Sequence, residues 1–435
     1  MPAPRDRQAP ETRLRIVIGS GAAAFGVPWG RQAKVQGGAR PTPRRVNVDG
    51  AAAVEPAQGT GIGEVEEAVR SAVHAGGGRL PYADFLRLCL YHPARGYYAG
   101  FGPGTEEGAR SPASDYFTSA DLHPAFGHLL AREAALHLER LLREGHERVW
   151  VVEVGGGRGL LARDVLQALS LEFPKVFERL RYLLVEPHAG WARVQRANLL
   201  PEFSGAVSWV RAAGPGLPLR AVRGVILSNE LFDAQPFHVL EGHGAGVREV
   251  FITVGEGGGL AETPGPPSRA DLARRLEAEG VRLAEAQRGE VSLDAGALAL
   301  DMARALLKGA VLAADYGDEA QALYDARRRP EGTMRCFFRH RLNTEPLARL
   351  GAQDITAHVD FTALARAFEE GGLAVRPVER QADFLRRHGL GEILGKLERE
   401  QTRLEREVYV RHRRALEALQ DPRGLGANLI LTAVK

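Results

Sequence analysis

The chain has 435 residues, 44% hydrophobic and 26% charged, with a formal net charge of +3 from 57 basic and 54 acidic side chains. That balance suits a globular protein of two or three domains and argues against a nucleic-acid-binding face. No run of about 18 apolar residues occurs, so no membrane span is expected. The two cysteines, Cys89 and Cys336, fit a reducing compartment, cytoplasmic by expectation, better than a disulfide framework or a zinc site.

Residues 1–60 are rich in Gly, Ala, Pro and Arg and show no sustained period, which predicts a disordered tail or an overextended start of the gene, with an Arg-rich, acid-poor targeting segment as the lesser alternative. From there to residue 145 the pattern is helical, with helices expected over 62–75, 81–91 and 124–142. The apolar run 149–154 then stops at Gly155-Gly156-Gly157-Arg158-Gly159 and gives way to a helical pattern through Leu169. A buried strand, a tight glycine turn and a helix start follow one another there, and such a turn lies where ligands of α/β sheets bind. Strands are expected at 182–186, 207–210 (short and edge-like) and 222–228, with a helix over 189–198 after the first of them. A β insertion is expected near 237–254, helices over 270–278 and 298–307, and a buried strand at 311–314 ending in Asp315. Beyond residue 320 the reading is helix-rich, with one charged helix over 390–419 and a closing apolar strand at 429–434.

The glycine spacing separates the candidate ligands. Gly155, Gly157 and Gly159 do not make the G-x-G-x-x-G dinucleotide fingerprint, and Arg158-Gly159-Leu160 does not complete a P-loop. Glu153 precedes the turn by two residues, and Glu186 ends the next strand. This pattern resembles the S-adenosylmethionine site of class I methyltransferases, the alternative being a glycine turn of another nucleotide-binding protein. The resemblance implies that Glu153 and the glycines line the methionine part and that Glu186 takes the ribose hydroxyls. The fold then expected is an α/β, Rossmann-like class I methyltransferase sheet with helical N- and C-terminal additions. Its segments would be 61–145, a helical piece and cofactor lid; 146–320, the core with its insertion; and 321–435, the substrate side carrying the last strand.

Polar residues at the fourth strand end, Ser228-Asn229-Glu230-Leu231-Phe232-Asp233, lie where a nucleophile must approach. Asn229 can donate and accept, and the Glu230 carboxylate could hold a guanidinium through two parallel hydrogen bonds, which makes these two the candidate catalytic pair. The bland alternative is that they cap a following helix. The run from Ser228 to His238 resembles the S-N-E-x-x-D-A-x-P motif of the MidA family, which includes a mitochondrial arginine methyltransferase. His92-Pro93 with Gly96-Tyr97-Tyr98, the block Asp115-Tyr116-Phe117-Thr118-Ser119, Gly332-Thr333-Met334-Arg335, and Gln353 through Phe361 are similar to further blocks of that family. The resemblance implies S-adenosylmethionine as cofactor, with Asp115, Thr118 and Ser119 over it, and His358, Asp360 and Asp315 on the substrate side. It also implies transfer to a protein side chain, arginine favoured. A small-molecule methyltransferase and a non-catalytic S-adenosylmethionine-binding assembly factor remain as alternatives. No metal site is expected, and a homodimer is compatible with the chain.

Overall fold

Six apolar runs, each bounded by glycine or polar residues, become the main strands of one twisted sheet: β1 Val149–Val154, β2 Leu180–Val185, β3 Val207–Val210, β4 Val222–Asn229, β5 Leu306–Asp315 and β6 Leu429–Val434. The computed structural model describes residues 62–99, 118–212 and 216–435. The strand order is 3-2-1-4-5-6, with short strands Ala374–Val375 and Glu379–Arg380 pairing the outer side of β6. Strands β1 to β5 run parallel, and β6 enters antiparallel, Ala310 opposite Val434 and Asp315 opposite Leu429. Parallel strands need both faces covered, which is why β1 and β2 read as continuous apolar runs rather than alternating ones. Helix Ala125–Arg143 lies across one face beside Leu160–Glu172. On the other, Leu293–Ala305 and Phe361–Glu370 close a core that includes Val152, Ile226, Val311, Leu431, Met302 and Phe368.

Strand order reverses between β1 and β4, so their connections leave in opposite directions and open a crevice at their carboxyl ends. Four strand ends meet there: Gly155 after β1, Glu186 after β2, Glu230 after β4 and Asp315 at the end of β5. Backbone pairing continues into this edge, with Gly155 N donating to Val185 O (3.2 Å), Glu186 N to Val210 O (3.0 Å) and Glu230 N to Ala314 O (2.9 Å). The fold is thus the expected doubly wound α/β sheet.

The insertion is larger than its sequence pattern indicated. Strands His238–His243 and Gly246–Val254 form the hairpin, and Leu80–Pro81, Leu260–Gly265 and Arg288–Val291 complete a five-stranded antiparallel sheet. Proline and glycine mask two of the added strands, both at positions where a missing amide or side chain is tolerated. Leu80–Pro81 ties the N-terminal helices to this sheet: Tyr82, Phe85 and Leu86 share a core with Phe237, Val239 and Ile252.

One expected helix is two. Residues 390–419 divide into Leu390–Arg399 and Arg406–Leu419, with a short turn, Gln401–Arg403, between them. The apolar stripe Leu390, Ile393, Leu397 meets Glu400 and Gln401 where its next buried position should fall, so continuing straight would bury charge. The chain breaks there and the two helices pack on each other. The tail over residues 1–60 lies outside the described residues.

Candidate active site

The cradle starts with the glycines. Gly155, Gly157 and Gly159 have φ of +73°, +48° and +77°, a region that side chains rarely adopt. A Cβ on Gly155 would stand 2.8 Å from Leu231 Cδ1, and one on Gly159 would stand 3.0 Å from Gln195 Cα. Among the described residues a Cβ on Gly157 would meet nothing within 4 Å, so they leave open space beside it at the crevice. Two acids flank that space. Glu153 is buried, its Oε2 accepts from Tyr182 Oη at 2.5 Å, and burial pushes its carboxyl up to about 8. Glu186 is buried as well; its Oε1 accepts from His188 N (3.0 Å) and its Oε2 from Gln195 Nε2 (2.9 Å). Burial raises Glu186 to about 7, against the lowering effect of those two donors.

Gln195 is the residue that sequence reasoning missed. It is wholly buried, and its Nε2 also donates to Gly157 O (3.0 Å), while its Oε1 accepts from Trp209 Nε1 (2.9 Å). One side chain therefore joins the glycine turn, the second-strand acid and β3. Its signal was available: Trp191, Gln195 and Asn198 share a face of helix Ala189–Asn198, and Asn198 Nδ2 donates to Arg158 O at 2.9 Å. An amide on the inward stripe of a helix has to find partners.

A four-residue helix, Ser119–Leu122, overlies the site. Thr118 caps it, its Oγ1 accepting from Asp121 N (3.3 Å) while Thr118 N donates to Asp121 Oδ2 (3.0 Å). Arg158 from the glycine turn forms an ion pair with Asp121, clamping this helix to the cradle. Ser119 N donates to Glu230 Oε1 (3.3 Å), and Ser119 Oγ donates to Gln381 Oε1 (2.9 Å). Thr118 thus serves as a cap, and Ser119 links the helix to the fourth strand end. Asp115 lies outside the described residues.

At that strand end Glu230 has φ +48°, a left-handed conformation that costs a non-glycine residue about 1–2 kcal/mol. No helix follows it; the chain turns through residues 231–237 into His238–His243, which removes the capping alternative for Asn229 and Glu230. Asn229 shares a side-chain hydrogen bond with the Glu230 carboxylate, whose protonation is driven well above the usual carboxylate range by burial and by Asp233. Asp233 is raised to about 6, mainly by burial, and Asp315 is raised by burial, Asp233 and Glu230. Three carboxyls are packed together without a cation among their hydrogen-bond partners in the described residues, an arrangement that favours a positively charged visitor.

Asp315, expected on the substrate side, has a different task. Its Oδ2 accepts from the backbone amides of Leu231 (3.1 Å), Phe232 (2.9 Å) and Asp233 (3.4 Å), and its Oδ1 accepts from Tyr316 N (2.9 Å). With both oxygens spent on backbone, it shapes the loop rather than meeting substrate. His358 and Asp360 do line a common cleft with Asp233. His358 Nδ1 accepts from Arg329 Nη1 (2.9 Å), and burial with that guanidinium holds the imidazole down at about 4, hence neutral. Asp360 caps helix Phe361–Glu370, accepting from Ala363 N at 3.0 Å. Among the described residues, no group of His, Cys, Asp or Glu is placed to hold a metal ion, and no helix is long and apolar enough to cross a membrane.

S-adenosylmethionine suits this cradle. Gly157 leaves room for it, Glu186 would receive ribose hydroxyls, and the Glu153 end of β1 would lie by its methionine part. Comparison with known proteins agrees. Residues 129–378, more than half of the chain, match the family described as S-adenosyl-L-methionine-dependent methyltransferases. The chain is 28% identical over 339 residues to protein arginine methyltransferase NDUFAF7, mitochondrial, of Rattus norvegicus, covering 72% of this chain and 71% of that one. It is 28% identical over 356 residues to the Drosophila melanogaster homolog of that protein, covering 75% of each. A crystal structure of a Burkholderia thailandensis protein bound to S-adenosyl-homocysteine superposes with a TM-score of 0.77 at 27% identity, over 87% of this chain and 95% of that one. The curated relatives are named as mitochondrial proteins, which overturns the cytoplasmic location expected from cysteine usage. The family match, the fold and the glycine cradle agree: this chain belongs to the S-adenosyl-L-methionine-dependent methyltransferases and is an enzyme of that class.

Proposed function

We propose that the chain methylates a protein side chain, with the guanidinium of arginine as the acceptor. The observation that carries this reading is Glu230: a strained, enclosed carboxyl at the β4 end, bonded to the overlying Ser119–Leu122 helix and set beside Asp233 and Asp315. The names of the curated relatives, protein arginine methyltransferases, support it. S-adenosylmethionine supplies a methyl carbon on a sulfonium, open to in-line displacement by a nitrogen nucleophile. A guanidinium is protonated at any physiological pH and is a poor nucleophile until it is oriented and its proton is drawn away. Glu230 would hold two of its N–H groups in parallel, ionising as the cation enters because a positive charge offsets the burial and the repulsion that keep it protonated. Asn229 would fix the angle of the Glu230 carboxylate. Glu186 and Gln195 would hold the ribose end.

The test is incubation of the purified chain with methyl-labelled S-adenosylmethionine and soluble extract of the source cell, followed by digestion and mass spectrometry. Methylarginine peptides should appear with the native chain. Glu230→Gln should keep S-adenosylhomocysteine affinity within a few-fold while turnover falls roughly 100-fold or more. Label confined to small molecules would refute the reading.

A further inference from the structure

We propose that the cleft walled by Asp233, His358 and Asp360 binds a side-chain-sized organic cation, with Asp233 as the carboxylate that receives its N–H groups. The proposal rests on the function proposed above and adds to it a second anchoring acid.

The backbone of Asp233 is pinned from both sides. Its N–H donates to Asp315 Oδ2 (3.4 Å), and its carbonyl accepts from Ala357 N (3.2 Å). The side chain is placed by this scaffold, and the residue is only 6% exposed, yet its Oδ1 has no hydrogen-bond partner among the described residues. An unsatisfied buried carboxylate oxygen is destabilising, and a ligand with N–H donors would remove that penalty. That carboxylate belongs to the wall of a cleft that is partly open to solvent.

The other walls select the ligand's chemistry. Phe232, Phe237 and Tyr324 offer apolar surface for a methylene stem. Two guanidinium groups belong to these walls and their surroundings: Arg275 lines the cleft with its Nε 2.8 Å from Glu279 Oε1, and Arg329 pairs with Asp318 at 3.5 Å and donates to His358. His358 is therefore an occupied acceptor, not a competing positive charge. Glu290 is spent on Thr333 N and Oγ1 (2.8 Å each) and Met334 N (3.2 Å). Asp360 uses Oδ1 as a helix cap. An apolar stem ending in a multiply donating cation matches these surfaces; a neutral amide or an anion does not.

The experiment titrates S-adenosylhomocysteine-saturated protein with N-acetyl-arginine amide, its neutral isostere N-acetyl-citrulline amide, and N-acetyl-lysine amide, for the native chain, Asp233→Asn and Asp360→Asn. The native chain should bind a cationic probe roughly tenfold or more tighter than citrulline amide, the worth of a hydrogen bond to a charged group. Asp233→Asn should bring that preference within twofold at unchanged S-adenosylhomocysteine affinity. Asp360→Asn, which keeps its helix cap because asparagine caps as well as aspartate, should reduce the preference by a smaller factor, about threefold. No preference in the native chain, or a full preference in Asp233→Asn, overturns the proposal. Should Asp233→Asn fail to fold, an unaltered preference in Asp360→Asn overturns it. Binding of the lysine probe alone would keep the cation cleft and refute the arginine reading. Methylarginine formation with an unchanged arginine-peptide KM in Asp233→Asn would do the reverse.

Discussion

Replacing Gln195 with methionine keeps the length and volume of the side chain and deletes its hydrogen bonds. Two donated bonds disappear, to Glu186 Oε2 (2.9 Å) and Gly157 O (3.0 Å), and Trp209 Nε1 loses its acceptor (2.9 Å). The bond to the carboxylate is worth about 1.5–3 kcal/mol and each of the two neutral ones about 0.5–1.5 kcal/mol. Stability should therefore fall by roughly 2.5–6 kcal/mol, visible as an earlier urea midpoint. The effect on ligand carries a pH signature. Glu186 sits near 7 with the Gln195 donor in place, and that donor lowers it. Without the donor the carboxyl rises, so less of it is ionised at neutral pH to accept ribose hydroxyls. Calorimetric titration with S-adenosylhomocysteine should give about tenfold weaker binding at pH 7 and a smaller gap at pH 9, where Glu186 is ionised in both proteins. Equal affinities at pH 7, or a gap that does not change with pH, would refute the assignment of Glu186 and Gln195 to the ribose.

Gly157→Val should abolish S-adenosylhomocysteine binding in the same titration: its Cβ would enter the open crevice, and φ +48° is strained for a branched residue. Glu153→Gln should stabilise the protein increasingly as pH rises. The folded carboxyl holds its proton to about 8 against an ordinary 4.5, so the unfolded chain releases it first, and stability from this group is full below about 4.5 and lost upward through 8. The gain over the native chain should grow from near zero at pH 4.5 to as much as roughly 4 kcal/mol at pH 8 by chemical denaturation, and a constant difference would sink that reading.

Legibility followed periodicity. The run into Gly155, helix Ala189–Asn198 and strand Leu429–Val434 were readable because each shows one unbroken pattern ended by turn residues. Glu186 and Glu230 were readable as candidates because acids that directly follow apolar strands stand at the carboxyl edge. What stayed hidden depends on partners far along the chain. Leu80–Pro81 is a strand only because Phe251 and Ile252 lie beside it. Asp315 reads like another strand-end acid, and nothing in its neighbours tells that the amides of Leu231 to Asp233 will consume it. Gln195 shows a local signal, a polar residue on a buried stripe, but not the identity of its partners.

The placement of β6 sets a schedule for biosynthesis. Leu429–Val434 covers β5, and Gln381, which accepts the Ser119 hydroxyl, is itself held by Asn428, whose carbonyl accepts from Gln381 N at 2.7 Å. Until β6 has left the exit tunnel, a ribosome-bound chain lacks both the neighbour of β5 and the latch of the Ser119–Leu122 helix. In that interval β5 carries a bare edge, the kind of surface that recruits other chains or a chaperone. Ligand-binding competence waits for β6, and premature termination upstream of residue 428 should leave an aggregation-prone product rather than a weakened enzyme.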